Sequence, residues 1–124
     1  MQWTFRDDAP IYLQLIDQMR LKIISGDYPP GYRLPGVREL AAEAGINPNT
    51  VQRAMTELER MGLVYSQRTA GRSVTEDTAV IQSARRDIAA AHVREFMKTM
   101  KELGFTVEET VEMLSRKDEN NVCT

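Results

Sequence analysis

Apolar residues recur at helical spacing in five stretches of this chain, and between the third and fourth lies a short run with strand character. Tyr12, Ile16, Met19 and Ile23, with Leu15 beside them, predict a first helix from Pro10 to about Ser25. Pro10 suits the first helical position, and Asp7 and Asp8 lie near the positive end of the helix dipole. Gly26 stands where a left-handed terminating residue belongs, and Tyr28-Pro-Pro-Gly31 cannot continue the helix.

A short second helix fits Val37 to Ala44, with Gly36 before it, Glu39 placed to reach back, and Leu40 and Ala41 on its buried side. Gly45 ends it. The third helix has the sharpest start in the chain, because Asn47 can cap it and Pro48 can occupy its first position. It runs through Met61 to Gly62. Val51, Met55 (or Ala54), Leu58 and Met61 form its apolar stripe, leaving Asn49, Thr50, Gln52, Arg53, Thr56 and Glu57 facing elsewhere.

Leu63–Ser66 reads as a strand, Thr69-Ala-Gly71 as a turn, and Arg72–Thr75 as a returning strand; a ribbon this small must lean on the helices. No Gly or Pro interrupts the chain from Thr78 to Leu103, which predicts one helix of about 25 residues, roughly 38 Å long. Its stripe of Ile81, Ala84, Ile88 and Ala91 shifts after Glu95 to Phe96, Met100 and Leu103, with Val93 and Met97 beside it. Gly104 breaks it. Thr106-Val-Glu-Glu109 is a capping box that opens a last helix through about Arg116, with Val107, Val111 and Leu114 apolar; Lys117 to Thr124 reads as frayed.

A supporting helix, two helices joined by the three residues Gly45-Ile46-Asn47, and a β-ribbon make the winged helix-turn-helix layout. The fold class expected is mainly α with a small β-ribbon: a winged helix-turn-helix domain over 1–76, a two-helix dimerisation segment over 77–117 and a flexible tail over 118–124. The layout suits double-stranded DNA. The second helix of the pair would place Asn49, Thr50, Gln52 and Arg53 in the major groove, where Asn and Gln match adenine and Arg matches guanine. The ribbon tip, with Arg68, Gly71 and Arg72, would reach the neighbouring minor groove.

Composition changes this picture little. The chain has 124 residues, 42% hydrophobic and 27% charged, with one Cys and one His, which excludes a large two-domain enzyme and a disulfide-stapled module. No apolar run nears the ~18 residues of a membrane span, and the first residues lack the pattern of a signal peptide, so a cytoplasmic protein is expected. Net charge is −2, yet residues 31–75 hold six Arg against four Glu and no Lys. Arg suits phosphate and guanine edges because its fork is planar. An excess this small supports a nucleic-acid partner only weakly, and a winged-helix protein–protein interaction module without DNA binding stands as the alternative.

A string of motifs in fixed order narrows the choice. Pro10-Ile-Tyr, Ile24-Ser-Gly26, Pro30-Gly-Tyr-Arg-Leu-Pro35, Val37-Arg-Glu-Leu-Ala41, Asn47-Pro-Asn-Thr-Val51, Arg53-Ala54, Leu58-Glu59 and Gly62-Leu-Val64 resemble the N-terminal domain of GntR-family bacterial transcriptional regulators. The short C-terminal part resembles the YtrA-type subfamily. The resemblance implies a dimeric DNA-binding repressor. By position, Arg38 matches an arginine that contacts DNA at the start of the second helix. Asn47, Asn49, Thr50 and Gln52 match recognition-helix contacts, Arg53 fits the YtrA-like pattern, and Gly71 matches the second glycine of the wing motif. Gly36 replaces a usual Ser, Thr69 the first wing glycine and Ser73 an aromatic.

The remaining chemistry is sparse. His92 reads as a helix-surface or interface residue, Cys123 as an exposed thiol, and Glu108-Glu109 as acids placed by a helix dipole. No phosphate loop or catalytic set is legible, so no enzyme, metal or cofactor is expected. Met97, Met100 and Met113 would suit an adaptable effector pocket, though a homodimer interface accounts for them as well. The interface expected comprises Ile81, Ala84, Ile88, Ala91, Phe96, Met100, Leu103, Val107, Val111 and Leu114, with the change of stripe at Glu95 suggesting two partners, the chain's own N-terminal domain and a second subunit. A two-fold dimer would set its reading helices ~34–36 Å apart, or a multiple of that, on an inverted repeat.

Overall fold

A computed structural model describes residues 3–116, so the expected tail and Cys123 lie outside the described residues. The chain divides between Arg85 and Arg86 into two compact units. The order of elements is α1 (Ile11–Ser25), α2 (Val37–Ala44), α3 (Pro48–Arg60), β1 (Val64–Gln67), β2 (Gly71–Val74), α4 (Thr78–Glu102) and α5 (Val107–Ser115). These bounds differ from the sequence reading by a residue or two at element ends. The start of α1 differs for a definable reason: Pro10 is extended, at ψ 134°, and caps the helix from outside it.

The first unit is built on the apolar stripes of three helices. Leu15, Met19 and Ile23 of α1, Leu40 of α2, and Val51, Met55 and Leu58 of α3 are each at most 2% exposed. Burying a side chain of this size stabilises by about 1.5–3 kcal/mol, so the α3 stripe alone ties that helix firmly to α1 and α2. Ala54 is buried alongside Met55, so both residues of the paired alternative reach the core.

The link between α2 and α3 is tight because Gly45 adopts φ +71°, a left-handed conformation costly for a residue with a Cβ. That bend lets the amides of Gly45 and Ile46 both donate to the Ala41 carbonyl, at 2.8 and 3.0 Å. Asn47 then caps α3, its side-chain oxygen accepting from the Asn49 amide at 2.8 Å, with Pro48 at the first helical position.

Val64 pairs with Val74 and Gln67 with Gly71 in the antiparallel ribbon, whose buried ends, Val64 and Val74, join the helical core. The ribbon has a third, short edge. Arg33 bridges to Ser73, while the Gly31 and Leu34 amides donate to the Val74 and Arg72 carbonyls and the Val74 amide donates back to Tyr32. Pro35 biases Leu34, the residue before it, toward extended backbone. Tyr28, buried, stacks on Tyr32 with ring centroids 5.1 Å apart, fastening the end of α1 to that edge.

The first unit extends past the expected boundary at residue 76 because the opening turns of α4 pack on its core. Ile81 is 7% exposed and belongs to that core, and Val80 and Ala84 lie against it. Of the residues expected at a subunit interface, Ile81 is enclosed in the core of its own chain, while Ala84 lies against that core and stays partly exposed.

In the second unit, Gly104 turns the chain after α4 and Thr106 opens α5. The expected capping box forms: the Glu109 amide donates to Thr106 Oγ1 at 3.0 Å, and the Thr106 amide donates to Glu109 Oε1 at 2.9 Å. Met100 and Thr110 are buried in the chain, which removes Met100 from the expected interface. Ile88 is half-buried and Ala91 exposed. Phe96, Leu103, Val107, Val111 and Leu114 lie open, between 44% and 66% exposed, with Val93 and Met113 also open.

An N-terminal strap precedes α1. The Gln14 amide group donates to the Arg6 and Ala9 carbonyls at 2.9 and 2.8 Å, and its oxygen accepts from the Arg6 amide at 2.8 Å. Gln18 holds Thr4 in the same two-way manner. Gln14 is buried, so Gln14→Ala leaves several backbone groups without partners and should destabilise by about 1–3 kcal/mol, against less than ~1 kcal/mol for Gln18→Ala. Urea denaturation midpoints of the two variants check this order.

Candidate nucleic-acid interface

The amphipathic division of α3 sets the site. With Val51, Ala54, Met55 and Leu58 turned into the core, Asn49, Gln52, Arg53 and Thr56 are exposed and Thr50 is half-buried. Gln52 Nε2 lies 3.4 Å from Thr56 Oγ1, and that hydroxyl donates to the Gln52 carbonyl at 3.0 Å. Arg53 extends toward α1, where its guanidinium carbon lies 3.7 Å from the centre of the Tyr12 ring. Ile11, Tyr12, Asn49, Thr50 and Arg53 line one shallow depression together.

A second depression flanks the α2–α3 turn, lined by Arg38, Ala41, Ala42, Gly45, Ile46 and Pro48. Arg38 is exposed in the first turn of α2, and Asn47 is exposed at the cap of α3. Arg38, Asn47, Asn49, Thr50, Gln52 and Arg53 thus all belong to the two helices of the helix-turn-helix pair or to the turn that joins them.

The ribbon is less uniform. Arg68 is exposed in the hairpin turn, and Gly71 follows it at φ +75°, a conformation open to glycine. Arg72, expected with Arg68 and Gly71 to reach the minor groove, is also tied within its own chain. Its Nε donates to Glu59 Oε1 at 2.7 Å, and its side chain is 22% exposed. The Ser66 hydroxyl donates to the same carboxylate oxygen, so one acid at the end of α3 holds both strands of the ribbon. The bonds from Ser66 and Arg72 hold the Glu59 carboxyl below the usual carboxylate range. Arg60 likewise holds Glu57 low, by a bond within α3.

Two participants escaped the sequence reading. Tyr12 fits the helical stripe of α1 and reads as a core residue, while Glu59 sits among polar positions with no mark of its tie to the ribbon. Each depends on a contact between segments far apart in the chain. The depression at Tyr12 carries one available signal, an aromatic at the edge of an apolar stripe rather than at its centre.

Three helices with a ribbon packed against the third define a winged helix-turn-helix domain. Residues 11–74 match the model of the bacterial regulatory proteins of the gntR family. The chain is 38% identical over 112 residues to the HTH-type transcriptional regulator YhcF of Bacillus subtilis, covering 90% of this chain and 93% of that relative. It is 44% identical over 72 residues to the HTH-type transcriptional repressor YtrA of the same organism, covering 58% of this chain and 55% of YtrA. A GntR family transcriptional regulator from Listeria monocytogenes superposes with a TM-score of 0.84 at 36% identity, over 89% of this chain and 96% of that one. The AraR DNA-binding domain in complex with operator ORX1 superposes with a TM-score of 0.52 at 26% identity, over 60% of this chain and 92% of that one. The chain belongs to the GntR family of transcriptional regulators and is of its YtrA type. Among the described residues no helix is long and apolar enough to cross a membrane, and no group of three or more His, Cys, Asp or Glu is placed to hold a metal ion.

The Glu59 tie gives a pH dependence. A carboxyl whose pKa falls on folding adds stability in full above its unfolded value, ordinarily 4.5, and loses it as pH drops through the lowered folded value. Glu59→Gln should therefore melt below wild type at neutral pH, with the gap closing as the solution is acidified below 4.5. Melting curves followed by circular dichroism between neutral pH and pH ~3 measure that convergence.

Proposed function

We propose that this regulator is a repressor that binds an inverted-repeat operator as a homodimer. The observation that carries the reading is the free polar face of α3: Asn49, Gln52 and Arg53 are exposed while the opposite face is wholly spent on the core. A helix held on one side and bare on the other can enter a major groove without rearrangement of the fold. The operator complex of the structurally similar AraR domain supports DNA as the partner, and the relative named as a repressor supports the direction of control.

The roles divide by chemistry. Asn49, Gln52 and Arg53 read base edges, Thr50 and Asn47 sit at the helix start nearest the phosphates, and Arg38 holds a phosphate from α2. Arg68 and Gly71 carry the wing toward the minor groove, with Arg72 bracing the ribbon from behind through Glu59. The role is binding rather than catalysis, in the cytoplasm where the duplex is accessible, and the relatives named as transcriptional regulators support it.

Pairing of two chains is supported by the open apolar residues of the second unit. Leu103, Val107, Val111 and Leu114 are each more than half exposed, apolar area that a second copy would remove from water. Val107, Val111 and Leu114 recur along one side of α5 at spacings of four and three residues.

Replacing Asn49 or Gln52 by Ala should cost ~1–3 kcal/mol on the preferred duplex and blur selection at one base position. Arg38→Ala should instead weaken every duplex and flatten the salt dependence by about one unit. Fluorescence anisotropy on a selected duplex and a scrambled one, across a salt series, separates the two; binding that is absent at low salt on both leaves a protein-interaction module instead. Val111→Asp combined with Leu114→Asp should give a monomer by sedimentation and weaken binding to a two-half-site duplex far more than to a single half-site.

A further inference from the structure

We propose that Tyr12 is a positioning residue for base reading: its ring holds the Arg53 guanidinium in the orientation in which that side chain meets DNA. The inference rests on the DNA-binding role of α3 proposed above. It begins from a contrast among arginines. Arg6, Arg60, Arg72 and Arg116 each pair with a carboxylate, respectively of Asp8, Glu57, Glu59 and Glu112. Arg53, on the exposed side of α3, makes no ion pair among the described residues, although its charge helps to hold the Glu57 carboxyl low, and it lies over the ring of Tyr12, 3.7 Å from its centre.

The two kinds of contact leave the guanidinium with different capacities. A carboxylate takes up N–H groups at the rim of the fork. An aromatic ring attracts the cation through its face and leaves the donors, which lie in the guanidinium plane, free for other acceptors. Guanine O6 and N7 require two such donors side by side. A side chain already held against a ring also loses less rotamer freedom on binding than one sampling solvent.

The platform itself is well anchored. Tyr12 is half-buried in the first turn of α1, between the extended Pro10 and Leu15 of the core. Gln14, two residues on, is bonded to the strap at Arg6 and Ala9. The ring and Arg53 share the walls of one depression with Ile11, Asn49 and Thr50, so α1 contributes part of the recognition surface.

The experiment selects duplexes from a randomised library with wild type, Tyr12→Phe, Tyr12→Leu, Arg53→Ala and the double variant Tyr12→Leu/Arg53→Ala. Tyr12→Phe keeps the ring and should select the wild-type motif. Tyr12→Leu should lose preference at the base position that Arg53→Ala blurs, and at no other, with about three- to tenfold weaker binding to the wild-type motif. The double variant should bind no more weakly than Arg53→Ala alone. Tyr12→Met provides a second ring-free side chain if Tyr12→Leu lowers the melting temperature. In the free protein, the Arg53 side-chain protons should be ring-shifted upfield in wild type and Tyr12→Phe, and return to ordinary positions in Tyr12→Leu.

Uniform weakening at all base positions, additive losses in the double variant, or equal losses in Tyr12→Phe and Tyr12→Leu would overturn the proposal, the last by pointing to the hydroxyl. If wild type enriches no motif, the DNA-binding reading fails and takes this one with it. If wild type enriches a motif that Tyr12→Leu selects unchanged, only the role of Tyr12 fails.

Discussion

The single apolar stripe of α3 is the constraint on which the rest of the first unit depends. A helix of 13 residues has few positions to give, and Val51, Ala54, Met55 and Leu58 are all committed inward. Their packing against α1 and α2 fixes the rotation of α3 about its own axis, and that rotation alone decides which polar side chains face outward. Asn49, Gln52 and Arg53 therefore owe their exposure to the core behind them. The capped turn at Gly45–Asn47 supplies the other coordinate, since it fixes where along the surface α3 begins.

Most of this division was legible from the residues. The Asn47-Pro48 start, the glycine at 45 and the 3.6-residue spacing of the stripe are local signals, each with a local cause, and they place α2 and α3 nearly to the residue. What escaped is what local signals cannot encode. The edge formed by Tyr32–Leu34 has no alternation of its own and exists only because β2 offers it free carbonyls and an amide. The stripe beginning at Ile81 keeps its spacing through Ala84, Ile88 and Ala91 before it shifts after Glu95, so nothing in its periodicity marks where, near Arg85, the core of the first unit stops claiming it. The charge of Arg72 was plain; its commitment to Glu59, thirteen residues earlier, was not.

That commitment alters the sense of the wing. Among its basic residues, Arg68 stands free at the turn, whereas Arg72 and Ser66 converge on one carboxylate at the end of α3. The ribbon is thereby referenced to the same helix that carries the polar face, so the wing and α3 present a surface of fixed geometry. The second unit shows the opposite economy: a few residues, Met100 and Thr110, are enclosed, and large apolar side chains from Phe96 to Leu114 lie open to solvent.

The strap before α1 has an optical consequence. The only tryptophan of the chain, Trp3, sits there, with Lys22 Nζ 4.8 Å from its ring centre and its indole N–H donating to Glu43 at 3.1 Å. Lys22 belongs to the last turn of α1 and Glu43 to α2, so the indole spans two helices from outside the central core. Its emission is thus a local gauge of how the N-terminal segment is seated, and detachment of that segment would register as a red shift while the helices beneath it remain folded.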